Sequence, residues 1–380
     1  MKKLQRLAIS CGGTGGHFLP GLAIARTFKE AGGEPLLLIG GKHVKEQMKM
    51  TSGFGIQACE ITAVPLAKSP VRLCRSLYGN WQGFRRSCQI FRDFHPQAYL
   101  SMGSFASLPP ALAAVHQKIP MFLHDGNALL GKMNIFMSRW AEAFALSFPS
   151  INENAAKCPL VQTGLPLRPE LLTAKRSKEE AVRELNQLFS TDFTPENPVI
   201  LVFGGSLGAR TLNESFFVDP AMPGAEEIQI IQLTGKNEEA FQAVQNKWQK
   251  FPGKTLTLTS CNQMDLLYQT ADLVVSRAGG STVAELAYFG KYAVLIPFPF
   301  AAEHHQDDNS RWLLQNGGGL MLQDAECSRE RFQTILADWY PHWQEYREKG
   351  LLSQSLAQPQ ASENVLNLIE STVFSGGCKS

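Results

Sequence analysis

The chain has 380 residues, of which 44% are hydrophobic, 18% charged and 9% aromatic, and its formal net charge is +2. At about 100 to 200 residues per domain this length favours two domains, and the composition excludes disordered, collagen-like and integral-membrane classes. A balance so near neutral also excludes a nucleic-acid footprint spread over the whole surface.

Eight cysteines (11, 59, 74, 88, 158, 261, 327 and 378) form neither a CxxC pair nor a zinc-type spacing, which points to a reducing cytosol rather than a disulfide framework. Behind the basic start, the apolar run at residues 7–9 is too short for a signal-peptide core. No stretch approaches the roughly 18 to 20 apolar residues of a bilayer span.

Short apolar runs at residues 4–10, 36–39, 98–102, 121–124 and 143–148 alternate with amphipathic stretches, the first of them at 21–31. This is the pattern of βα units on a parallel sheet. It restarts at 199–203 and continues at 228–233, 255–259, 273–276 and 293–298. The sequence therefore predicts two doubly wound α/β domains. Between them, the charge-rich AKRSKEEAVRELNQ closed by TPENP reads as a connector with one solvated helix. A boundary near Pro166 gives domains 1–166 and 167–351.

Both halves open alike, with a strand, a glycine-rich turn and a helix: LAISCGGTGGHFLPGLAIA and VILVFGGSLGARTLNESF. Such a turn offers unpaired backbone N–H groups and the positive end of a helix dipole, the usual cradle of a phosphate. The first loop is not the GxGxxG fingerprint, because Phe18 takes the third glycine position and no acid closes the strand at 36–39. Neither loop is followed by GK[ST], so a Walker A loop is excluded too. A third glycine turn, SRAGGSTVAEL, places Glu285 about a turn and a half into its helix, where a carboxylate can accept both hydroxyls of a ribose. The plain alternative for these features is tight turns and an ordinary acid favoured by the helix dipole.

From residue 61 to 92 the chain carries no acid, while Lys68, Arg72, Arg75, Arg85, Arg86 and Arg92 interleave with Leu77, Tyr78, Trp81 and Phe84. This suits either an anionic membrane interface or a helix with a buried apolar face and a solvated basic one.

GGTGGHFLPGLAIA, GGSLGARTLNES, SRAGGSTVAELAYFGKYAVLIPFPF and HHQDDN, in this order, together resemble the MurG family over nearly the whole chain. That resemblance implies a GT-B fold, two Rossmann-like domains facing a cleft, with a C-terminal helix from about 352–380 packing back on the first domain. It implies transfer of N-acetylglucosamine, with inversion, from UDP-N-acetylglucosamine to the 4-hydroxyl of the muramyl sugar of lipid I, forming lipid II for peptidoglycan. It places the protein at the cytoplasmic face of the bacterial plasma membrane, with other cell-wall synthesis proteins as partners and no nucleic acid.

Carried over by motif, His17 is the general base. Thr14, Gly15, Gly16, Asn127, Arg168, Ser206, Gly280, Ser281, Thr282, Glu285, His305 and Gln306 hold the donor, and Asp125, Gly103 and Ser104 are acceptor or orienting positions. The lipid-linked acceptor favours the membrane reading for Arg72, Arg75, Leu77, Trp81, Phe84, Arg85 and Arg86. No cofactor and no tightly bound metal are expected: no DxD-like pair stands in the second half, and His304 and His305, beside Glu303, Asp307 and Asp308, would point about 100 degrees apart on a helix.

The chain departs from the family pattern at several places. HEQN reads His124-Asp125-Gly126-Asn127, GNPxR carries Leu165, GGSQGA carries Leu207, GGY reads Gly103-Ser104-Phe105, and Cys261 stands where isoleucine is common beside the uracil. These leave two other expectations open. One is a related GT-B enzyme, acting on another lipid acceptor or as a UDP-N-acetylglucosamine 2-epimerase. The other is a nucleotide-sugar-binding protein without catalysis.

Overall fold

The computed structural model describes residues 3–65, 69–172, 175–205, 209–301 and 305–375, without the side chains of 70, 72 and 375. The chain forms two compact units, the first running through Arg168 and resuming at Gln358, the second spanning Pro169–Ala357.

In the first unit β1 (Arg6–Gly12), α1 (Gly15–Glu30), β2 (Glu34–Gly40), α2 (Val44–Gly53) and β3 (Gln57–Glu60) build one half of a sheet. A long α3 (Pro70–Phe94) crosses to the other half: β4 (Ala98–Ser101), α4 (Leu108–His116), β5 (Met121–Asp125), α5 (Lys132–Met137), β6 (Ala143–Leu146) and β7 (Leu160–Gln162). The seven strands pair in parallel in the order β3-β2-β1-β4-β5-β6-β7. The order reverses between β1 and β4, so both strand ends and the loops that leave them open onto one crevice of this unit.

Central strands read as unbroken apolar runs because helices cover both faces. α1 packs on one face with Leu7, Ile9 and Leu37, while α3, α4 and α5 pack on the other with Ala8, Leu36, Tyr99 and Leu123. Helix α1 begins well before residue 21. Gly15 and Gly16 are already helical behind Thr14, an N-cap residue with extended backbone.

The second unit starts with α6 (Lys178–Phe189), then β8 (Val199–Phe203), α7 (Arg210–Ser215), β9 (Gln229–Leu233), α8 (Glu238–Trp248), β10 (Lys254–Leu258) and α9 (Met264–Thr270). It continues through β11 (Leu273–Ser276), α10 (Gly280–Phe289), β12 (Tyr292–Leu295), α11 (His305–Leu314), β13 (Gly319–Met321), α12 (Arg329–Trp339) and α13 (Trp343–Leu351). Six parallel strands lie in the order β10-β9-β8-β11-β12-β13.

The helix expected in a solvated connector is instead part of this unit's core. α6 opens with a capping box between Ser177 and Glu180 and buries Ala181, Val182 and Leu185 against the core. Its Lys178 lies buried in an ion pair with Asp272 at 2.6 Å. The second unit also runs past residue 351. Leu356 packs on its core, and a Cβ on Gly290 would stand 2.8 Å from the Gln354 side chain.

The chain then returns to the first unit as α14 (Ala361–Ser375). Val365 and Ile369 are wholly buried in that unit's core. Glu370 accepts the Leu4 N–H at 2.8 Å, and the Asn364 amide donates to the Thr163 carbonyl at 3.1 Å. Replacing Ile369 by Ala should cost the first unit about 2–5 kcal/mol in urea denaturation. A loss under about 0.5 kcal/mol would mean that α14 is not part of its core.

Candidate functional site

In the first unit the expected residues gather at the C-terminal ends of β1, β4 and β5. Gly13 has φ 81° and leads to Thr14, whose carbonyl accepts the N–H groups of His17 and Phe18. The first turn of α1 carries no acidic side chain, so its dipole is open to an anion. Pro20 has no N–H for the carbonyl of Gly16, which leaves that oxygen outside the helical ladder.

The His17 Nδ1 lies 2.9 Å from the Met102 carbonyl oxygen. A carbonyl only accepts, so Nδ1 carries the proton and Nε2 is the basic nitrogen. This is the tautomer a general base needs. Gly103 sits beside the ring: a Cβ there would lie 3.6 Å from His17 Cε1. Its neighbour Ser104 holds φ 67° and ψ 162°, a conformation strained for any residue but glycine, and accepts the Ala106 N–H at 3.1 Å. The Ser104 hydroxyl stands 3.7 Å from where a Cβ on Gly13 would be.

Asp125 ends β5 and is buried. It accepts from the N–H of Asn127 at 3.2 Å, the N–H of Gly131 at 2.8 Å and the Asn134 amide at 3.1 Å. Burial pushes its carboxyl above the usual range, while these donors and the charge of His17 pull it back. His124, buried beneath it, is driven down to about 4 by desolvation and stays neutral near pH 7. Arg168, half-buried, is the last residue of this unit before the chain crosses.

In the second unit Gly280, Ser281 and Thr282 form the first turn of α10, directly after β11. Glu285 projects from the same helix, buried, and accepts the Tyr268 hydroxyl at 2.8 Å. His305 and Gln306 open α11, where Gln306 Oε1 accepts the Phe298 N–H at 2.9 Å. Buried Asn309 ties that helix to the turn before α10 through the Ala278 carbonyl at 3.1 Å. Arg277 donates to the Ile296 and Pro297 carbonyls and pairs with Asp324 at 2.5 Å. Ser206 and Leu207, like Glu303 and His304, lie outside the described residues.

Sequence reasoning missed Asn134, Tyr268, Asn309 and Arg277 as the supports of these groups. The readable signal was a polar residue interrupting an apolar stretch, as Asn134 does in KMNIFM.

On α3 the two readings of the basic, aromatic stretch separate. Its inner face carries small residues, Ser76, Gly79, Gly83 and Ser87, and a Cβ on Gly83 would stand 2.0 Å from the Thr62 carbonyl oxygen. The large side chains of its first half point outward: Leu77 is 54% exposed, Tyr78 60% and Trp81 49%. The Arg85 guanidinium lies over the Trp81 ring at 5.0 Å, and Arg75 and Arg86 are exposed. Phe84 departs from this face. It is half-buried, edge-on to His116 of α4 at 5.7 Å, because its place in the helical turn faces the neighbouring helix. The side chain of Arg72 lies outside the described residues. No described helix is long and apolar enough to cross a membrane.

Comparison with known proteins matches residues 7–146 to the glycosyltransferase family 28 N-terminal domain and residues 199–365 to its C-terminal domain. Curated relatives include the UDP-N-acetylglucosamine--N-acetylmuramyl-(pentapeptide) pyrophosphoryl-undecaprenol N-acetylglucosamine transferases of Moorella thermoacetica and Halothermothrix orenii. The first is 32% identical, covering 98% of this chain and 100% of the relative. The second is 31% identical, covering 97% and 99%. Among solved structures, Acinetobacter baumannii MurG superposes with a TM-score of 0.75 at 25% identity, covering 96% of this chain and 99% of that one. A UDP-GlcNAc 2-epimerase from Neisseria meningitidis, bound to UDP-GlcNAc, reaches 0.65 at 13% identity over 98% and 100% of the two chains, a likeness of fold alone.

Removing only the hydroxyl that orients Glu285, by Tyr268→Phe, should cost about 1–3 kcal/mol of the second unit's stability in urea, since the carboxylate is buried and the ring packing is kept. A change within about 0.3 kcal/mol would show that this bond does not hold the acid.

Proposed function

Because the chain belongs to the MurG family within glycosyltransferase family 28, we propose that it transfers N-acetylglucosamine from UDP-N-acetylglucosamine to the 4-hydroxyl of the muramyl sugar of undecaprenyl-diphosphate-linked muramyl-pentapeptide. The likeness to curated transferases at 31–32% identity, over nearly the full length of both chains, carries this reading.

The chemistry needs a base for the acceptor hydroxyl and a counter-charge for the departing diphosphate. His17 Nε2 takes the proton, with Nδ1 anchored to Met102. Negative charge on UDP is met by the N-terminus of α10 and its Gly280–Thr282 turn, with Ser206 and Arg168 in the roles the family likeness assigns. Glu285 holds the ribose, and Asn127, His305 and Gln306 read the sugar. Neutralisation by main-chain N–H groups and arginine requires no bound metal in this scheme. A single in-line displacement inverts the anomeric centre.

We assign the outward face of α3 to the cytoplasmic surface of the plasma membrane. Exposed Leu77, Tyr78 and Trp81 beside Arg75, Arg85 and Arg86 combine interfacial aromatics with charge that suits anionic headgroups.

Two outcomes test the reading. UDP release from UDP-N-acetylglucosamine should depend on a soluble lipid I analogue, and His17→Asn, which keeps a donor near Met102 but no base, should lower kcat by about 10²- to 10⁴-fold. Release without acceptor, or an unimpaired variant, would contradict it. Arg85→Glu combined with Arg86→Glu should weaken binding to anionic vesicles at least about tenfold, and unchanged binding would sink the membrane assignment.

A further inference from the structure

Three departures from the family pattern, Asp125, Gly126 and Leu165, meet at one place in the first unit. Asp125 Oδ1 accepts the N–H of Asn127, two residues on, at 3.2 Å. This is the ring of an Asx turn, which a side chain of aspartate length closes. The other oxygen, Oδ2, takes the Gly131 N–H at 2.8 Å and the Asn134 amide at 3.1 Å. A glutamate would carry its oxygens one methylene further and lose this simultaneous reach.

Gly126 is not a glycine for its backbone, which lies outside the positive-φ set. What crowds the position is Leu165: a Cβ at 126 would stand 3.2 Å from Leu165 Cδ1, a tight contact, and 3.6 Å from the Gly16 carbonyl oxygen, an ordinary one. Leu165 is itself buried at 4% exposure. The leucine therefore caps the turn from one side, and the other side abuts the residue that precedes His17.

We propose that Asp125, Gly126 and Leu165 form one positioning unit, an Asx turn roofed by a leucine, which sets where Asn127 stands against the loop of His17. Asp125 is thus a positioning residue, whose two oxygens hold the turn through the donors of Asn127, Gly131 and Asn134. The set works only together. A longer acid breaks the ring, a side chain at 126 crowds the roof, and a smaller roof leaves the turn loose. This rests on the glycosyltransferase reading above and adds to it why an aspartate, a glycine and a leucine occur here together.

The test uses the full chain carrying Asp125→Glu, Gly126→Ala, Leu165→Val and the pair Gly126→Ala/Leu165→Val. Steady-state UDP release gives kcat and KM, and urea midpoints are read on the same proteins. Asp125→Glu should lower kcat at least tenfold with its charge intact. Gly126→Ala should lower kcat several-fold with KM for the donor within twofold, and adding Leu165→Val should restore at least half the loss. An Asp125→Glu enzyme within twofold of the parent, or a pair whose effects simply multiply, would overturn the proposal. If the unsubstituted protein shows no acceptor-dependent turnover, the parent reading fails. The positioning unit then stands or falls on the urea midpoints: non-additive shifts at 126 and 165 support it, and additive ones refute it.

Discussion

No side chain fits where the first strand meets the second. A Cβ on Gly12 would stand 2.3 Å from the Gly40 carbonyl oxygen, and one on Gly41 2.9 Å from Gly13 Cα. β1 and β2 thus end as bare backbone pressed together, and α1 must leave the sheet at that point with its first N–H groups facing the crevice. Everything chemical in this unit follows from that exit. His17 falls over the end of β4, where the Met102 carbonyl selects its tautomer, and Gly103, at φ 86°, makes the turn beside the ring.

The second unit uses the same device for another purpose. The chain's third glycine turn starts α10, and Glu285, further along that helix, accepts the Tyr268 hydroxyl. Arg277 and Asn309 then tie the loops after β11 and β12 together. In the first unit the Met102 carbonyl orients His17, and in the second the Tyr268 hydroxyl holds Glu285. Strand, glycine turn and helix thus recur in both units on one architecture.

The legible parts of the sequence were those dictated by covalent or layer constraints. Glycine turns announced the sites because a helix N-terminus follows each strand there, with no side chain tolerated at Gly12 and Gly41, and the central strands announced the sheets because both their faces are covered. The edge strands β3, β7 and β13 (QACE, LVQ and GLM) are short and partly exposed, so no apolar run marks them. α6 looked solvated because its charges dominate the composition, yet Lys178 turns inward to Asp272. Asn134 stands out as a polar break in an apolar stretch, but what it and Tyr268 support is not legible, since their partners come from other elements. Phe84 was misread for the same reason: which face of α3 is buried depends on the small residues that let it approach Thr62.

As proposed above, His17 drives a single inverting displacement on the sugar carried by UDP. The most direct measurement is the NMR spectrum of the product formed from UDP-N-acetylglucosamine and a muramyl diphosphate lipid analogue. A β-linked N-acetylglucosamine on the 4-oxygen of the muramyl residue is the predicted result. An α linkage, or a free sugar epimerised at C2 and formed without acceptor, would contradict it.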